Sequence, residues 1–161
     1  MSLFDYLRAT WIGGVMRDVV RSWPLAETMH FIGLSILFGA LLIFDLRMMG
    51  FIKAIPMRSA LNFTRIAMVG FGINVVTGFA FFCAFPDKYW ENPAFKLKML
   101  MVVLAMLNVL FFEAVERRHV IALGPNADVS TGTKISAWVS LLLWTGILLA
   151  GRMLPTFGTI G

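Results

Sequence analysis

One histidine in this chain sits where an imidazole is costly to keep unless it is used. His30 lies inside an apolar run, and Glu27 is the only other ionisable residue there. The two are three residues apart, so a helix presents them on one face. A neutral imidazole is a good ligand for haem iron, copper or zinc. A carboxylate beside it can coordinate as well, or orient the ring. Lys98 near the start of a later apolar run and Arg152 at the end of the last one fall at a similar membrane depth. Both suit an anionic group such as a haem propionate, a quinone or a lipid headgroup. The expected cofactor-binding set is therefore His30, Glu27, Lys98 and Arg152. His30 and Glu27 are the metal ligands, and haem b, copper or iron is the group held. The competing reading is plainer: Glu27 is neutralised by Lys98 or Arg152, and His30 hydrogen-bonds a neighbour.

Other candidates read as structural. His119 is the only other histidine. It follows Arg117 and Arg118 at the far end of the third run and is expected to be a solvated interfacial residue. It stands a membrane thickness from His30, so one chain cannot give both to a single haem. Asp45 and Arg47 close the first run. Asp45 is expected to pair with Arg65, Arg117 or Arg47, and Glu113 likewise with an arginine. Asn74 and Thr77, with Gly70 and Gly78, form a small-and-polar stripe suited to close helix packing, or to lining a cofactor cleft. Asn108 is read in the same way. The 11 methionines form no ladder, which argues against a copper path. The single cysteine, Cys83, excludes an internal disulfide and reads as a small apolar residue. No Ser-His-Asp, HExxH, Walker or dinucleotide-binding pattern occurs, so no catalytic residue is assigned and an enzyme is not expected.

Four apolar runs must position these residues: Leu25–Phe44, Ile66–Phe85, Phe95–Ala114 and Ile135–Gly151. At a rise of about 1.5 Å per residue each can cross a hydrocarbon core of roughly 30 Å. Lipid leaves no solvent for backbone groups, so each run should be a helix. The predicted spans are about 25–46, 64–85, 95–116 and 134–154. Ser22-Trp23-Pro24 opens the first, Asn92-Pro93 precedes the third and Pro155 closes the fourth. Residues 124–128 read as a turn-rich linker. Residues 1–22 mix apolar and charged positions and are expected to lie in the interface as one or two short amphipathic helices, interrupted at Gly13-Gly14. The fold class is thus an all-α integral membrane protein, a four-transmembrane-helix bundle with an N-terminal interfacial helix; residues 23–161 form the membrane domain.

Composition agrees. Hydrophobic residues make up 59% and charged residues 14% of the chain, against about 45–50% and 25% in soluble domains. Lipid must therefore cover part of the surface. The net charge of +5 comes from residues flanking the runs, which suits anionic headgroups rather than nucleic acid. Four spans place both termini on one side. Lysines and arginines divide evenly between the two sides. Leaving out Lys96, Lys98 and Arg152 as helix-end residues, the loops opposite the termini are richer, which puts the termini in the periplasm.

The residues Trp23-Pro24-x-x-Glu27-x-x-His30, Asp45-Leu46-Arg47, Thr77-Gly78, Asn92-Pro93-Ala94-Phe95-x-x-Lys98, Asn108 and Gly151-Arg152 resemble the pattern of a family of uncharacterised four-span bacterial inner-membrane proteins. The likeness covers about Trp23 to Leu154. It implies the four-helix membrane fold and a bacterial inner-membrane location, and no activity. The functional expectation comes from the residues: a small membrane redox or metal-site protein, holding haem b or a transition metal, with the site near the non-cytoplasmic face. The alternatives are a non-catalytic accessory or anchor subunit of a larger membrane complex, and a small-solute transporter. Expected partners are the lipid bilayer and either further copies of the chain or a larger membrane complex.

Overall fold

A computed structural model describes residues 2–123 and 127–157. These residues are helical, with no strand among them. Two short helices, α1 (Leu3–Ala9) and α2 (Trp11–Asp18), lead into α3 (Ser22–Met49) and α4 (Met57–Ala84). A short α5 (Pro86–Glu91) precedes α6 (Pro93–Phe111), which runs through a π-helical turn (Phe112–Glu116) into α7 (Arg117–Ala122). The last long helix is α8 (Thr131–Met153). Four segments are long and apolar enough to cross a membrane: Ser22–Met49, Met57–Ala84, Pro93–Ala122 and Thr131–Thr156. The protein is a multi-pass membrane protein built as a four-helix bundle.

The spans are longer than the hydropathy runs because their ends are capped by polar residues that a hydropathy window discards. Gly50 stops α3 in the left-handed region at φ 93°, a conformation that favours glycine. Asn92 caps α6, its Oδ1 accepting from the backbone of Ala94 and Phe95. Ser130 caps α8 through the backbone N–H of Thr133. α4 starts at Met57 and thus carries Arg58 and Arg65 within the helix. In the linker read at 124–128, residues 124–126 lie outside the described part.

The N-terminal segment forms two helices, and the break falls at Thr10 instead of Gly13-Gly14. Thr10 Oγ1 accepts from the backbone of Gly13 and so starts α2. Both glycines lie inside α2, and Gly13 is there for space. A β-carbon on it would meet the carbonyl oxygens of Leu7, Arg8 and Cys83 at 2.9 Å. α2 packs against α4, and Arg17 donates to the carbonyl of Ala84 at the end of that helix, where a cation is favoured. Cys83 is buried beneath this contact. Leu3, Tyr6, Trp11 and Val19 stay exposed, as suits a segment lying in an interface.

The bundle is assembled from pairs. α3 packs along α4, α6 packs along α8, and α3 joins α8. α4 and α6 meet where the rings of Phe82 and Phe95 stack at 5.7 Å, but their backbones do not approach as those of the other pairs do, so the rest of that flank is a seam. Gly33 and Gly70 allow the α3–α4 approach: a β-carbon on Gly70 would stand 2.6 Å from the Gly33 carbonyl oxygen. Close packing of this kind substitutes in lipid for the missing hydrophobic drive.

Candidate functional site

At the end of the bundle that carries the termini, a cleft of about 430 Å³ opens between α3, α4, α5, α6 and α8. Glu27, His30, Lys98 and Arg152 all line it. The four residues read from the sequence as one constellation are therefore brought together. Helix geometry explains this: antiparallel spans return the start of α3, the start of α6 and the end of α8 to one membrane edge.

The orientation of His30 is fixed by α4. Its Nδ1 lies 2.7 Å from Thr77 Oγ1. The Thr77 hydroxyl has one hydrogen, donated to the Ile73 carbonyl at 2.7 Å. With that hydrogen on Ile73, Thr77 accepts from His30 and the ring carries its proton on Nδ1 and its lone pair on Nε2; a hydroxyl turned toward His30 gives the other tautomer. Among the described residues Nε2 has no hydrogen-bond partner, and it is not sealed in the packing. The ring also packs edge-on to Phe81, with centroids 5.7 Å apart. Its Cε1 would stand 3.7 Å from a β-carbon on Gly78. An imidazole held through one nitrogen and bare on the other is the arrangement that metal-ligating histidines use.

The charges in the cleft do not neutralise one another. No ion pair involving Glu27, Lys98 or Arg152 lies within 4.0 Å among the described residues. Of the plainer reading, one half is met, since His30 hydrogen-bonds its neighbour Thr77; the other half, in which Glu27 pairs with one of the cations, is not. Glu27 and Arg152 are exposed and Lys98 is half-buried. Lys98 Nζ would stand 3.7 Å from a β-carbon on Gly151, so the glycine beside Arg152 makes room for the ammonium.

Several aromatic residues that the sequence reading does not assign to the site complete the walls. Trp23, Phe81, Tyr89 and Phe95 all face the cleft. Trp23 packs on Phe81 at 4.9 Å, and Tyr89 on Phe95 at 5.3 Å. Burial pushes the Tyr89 phenol up to about 12, and the nearby carboxylate of Glu27 adds to the shift. Tyr89 therefore stays protonated, with an O–H beside Glu27. Aromatic residues at a membrane edge are legible as a belt, but nothing in the sequence assigns them to this cleft. Thr77 is legible as part of a polar stripe; its bond to His30 is not.

The other expected residues lie at the opposite end. Glu113 pairs with Arg117 one turn on. His119 is exposed, with Nδ1 near the Val115 carbonyl. Asp45 departs from expectation. It is buried, none of the described ion pairs includes it, and its neighbour is Ser140 of α8. The arginine beside it in sequence, Arg47, instead donates to the Ile55 carbonyl at 2.7 Å. Asp45 shares a cavity with Arg65 and Arg117 without an ion pair to either among the described residues, and the phase of α3 sets it against Ser140 of α8. Asn108 and Ser136 bond each other across α6 and α8, as the packing reading has it.

No family model matches the chain, and neither a curated protein nor a solved structure matches it. The functional reading therefore rests on the geometry of the cleft.

Proposed function

We propose that this protein is a small haem b-binding redox protein of the bacterial inner membrane, with His30 as the iron ligand and Lys98 and Arg152 as partners of the propionates. One observation carries the reading: His30 offers a bare, accessible Nε2 in a cleft where neither Lys98 nor Arg152 forms an ion pair within 4.0 Å among the described residues. The room available, about 430 Å³, falls within the roughly 300–1,000 Å³ usual for cofactor sites. Aromatic side chains form much of the wall, as a flat macrocycle requires. Haem bound there would supply one-electron chemistry.

A bare copper or iron ion fits less well. Glu27 and His30 are two ligands, and no group of three His, Cys, Asp or Glu side chains able to hold a metal occurs among the described residues. Lys98 and Arg152 against the single carboxylate of Glu27 leave the cleft with a net positive charge, which repels a metal cation and attracts propionates. Glu27, next to the Tyr89 hydroxyl, is placed to take or orient a water or a second ligand. The charge distribution of the loops supports a periplasmic site.

The test is haem stoichiometry. The purified protein, expressed with sufficient haem supply, should carry haem that the pyridine haemochrome assay identifies as type b. His30→Ala should lose at least nine-tenths of it while remaining folded. Haem content unchanged in His30→Ala would overturn the reading.

The accessory-subunit alternative draws on a different observation, the seam between α4 and α6, which a neighbouring helix could fill. It predicts a colourless preparation that co-purifies with larger proteins. A transporter is disfavoured, since the four spans run unbroken through mid-membrane among the described residues.

A further inference from the structure

A second cavity, of about 350 Å³, lies at the other end of the bundle between α3, α4, α6 and α8. It shares no lining residue with the His30 cleft. Two polar atoms in its walls are buried and have no partner among the described residues: Asp45 Oδ2 and Trp144 Nε1. The residues that carry them are 1% and 5% exposed. One atom is a carboxylate oxygen and the other an N–H donor. Leaving either unmatched inside a membrane protein is expensive, so two of opposite character in one cavity point to an occupant that matches both.

The remaining polar groups narrow the chemistry. Asn108 and Ser136 line the cavity but satisfy each other at 3.0 Å. Arg65, Arg117 and Glu113 line it as well; Glu113 pairs with Arg117, so Arg65 is the cation left to disfavour a positively charged ligand. Asp45 disfavours a free carboxylate. The ligand is therefore neutral, with at least one group that both donates and accepts. Rings form the walls: Phe44 meets Phe112 edge-on at 5.2 Å, and Phe71 meets Trp144 at 6.1 Å. A flat aromatic headgroup suits them. The seam between α4 and α6 gives an apolar exit, since the exposed side chains Met68 and Leu110 belong to the same cavity.

We propose that this cavity is a second ligand site that takes the hydroxylated aromatic headgroup of a membrane-dissolved molecule of the quinol class. Its hydroxyl groups donate to Asp45 Oδ2 and accept from Trp144 Nε1, and its tail leaves through the α4–α6 seam. The competing occupant is water.

The test uses the full chain in quinone-free phosphatidylcholine nanodiscs, titrated anaerobically with a radiolabelled decyl-tailed benzoquinol. Saturable binding is expected. Trp144→Phe removes the donor and keeps a ring against Phe71, and should weaken binding about tenfold, the worth of one hydrogen bond. Asp45→Leu should weaken it at least as much. The thermal midpoint of each variant should match or exceed that of the wild type, because each removes an unmatched buried polar group. His30→Ala should bind the quinol normally, which separates this site from the haem reading. Absence of saturable binding would overturn the proposal. So would equal affinity in wild type and Trp144→Phe, the result expected if water fills the cavity. If Asp45→Leu fails to fold, Trp144→Phe alone decides.

Discussion

The helix ends opposite the termini and the His30 cleft treat charge in opposite ways. Opposite the termini, apart from the buried Asp45, charged and polar groups answer one another, as Arg8 and Asp87 do outside the cleft at the other end. Glu113 holds Arg117, Lys53 holds Asp128 at 3.0 Å, and Arg47 is fixed to the Ile55 carbonyl. Glu116 accepts from Ser130 at 2.8 Å and from Thr133, which joins the π-helical turn to the start of α8. At the His30 end, Glu27, Lys98 and Arg152 share one cleft and form no ion pair among the described residues. Paired charges pin a fold. Charges held together without partners cost stability and persist where something else uses them.

The comparison can be broken most sharply by removing the two cations of the cleft. Lys98→Met with Arg152→Met should weaken haem binding about a hundredfold, roughly 1.4 kcal/mol for each charge-assisted hydrogen bond to a propionate. The apo-protein should be at least as stable as the wild type. A haem titration and a thermal melt on the same sample check both. A marked loss of stability would show that the two cations belong to the structural class after all.

The reverse pattern is expected at Glu116. Glu116→Ala should cost about 2 kcal/mol, because Ser130 and Thr133 lose a charged acceptor near the start of α8. Haem bound per folded molecule should not change. Thermal unfolding in detergent measures the first and the Soret absorbance of the folded fraction the second.

Thr77→Val keeps the shape of the side chain and deletes the acceptor for His30 Nδ1. Haem affinity should fall about tenfold and the reduction potential should shift, with little change in stability. A variant with wild-type affinity and potential would show that the Thr77 hydroxyl does not tune the ligand.

The smallest effect belongs to Lys53 and Asp128, an exposed pair. Lys53→Ala should leave the thermal midpoint unchanged within error near neutral pH. Lys53 holds the Asp128 carboxyl below its ordinary value of 3.8. Any stabilisation is thus present above that value and disappears as the pH falls through the lower folded one. Melting curves across the acid range in wild type and Lys53→Ala would expose it.

Much of this is legible in the sequence, and the part that is not has a common cause. The spans follow from hydropathy, and the meeting of Glu27, His30, Lys98 and Arg152 follows from depth along antiparallel helices. Depth can be counted along a chain; rotational phase between helices cannot. Depth alone matches Asp45 to the arginines at its own level, yet the phase of α3 turns it to Ser140. Thr77 falls in a polar stripe, but its bond to His30 depends on how α4 meets α3. Nothing in the sequence marks Glu116, because the π-helical turn at Phe112–Glu116 widens the helix locally and changes which side chains face α8. Gly13 reads as a break, since a glycine required for close approach looks the same in sequence as one that ends a helix.

The most direct measurement is an optical absorption spectrum of the detergent-purified protein, first oxidised and then reduced with dithionite. A Soret band that sharpens and shifts on reduction, with resolved α and β bands, is the result predicted for haem held by His30. A flat visible spectrum from protein made with ample haem, and still flat after haemin is added, would contradict the account and leave the accessory-subunit reading in its place.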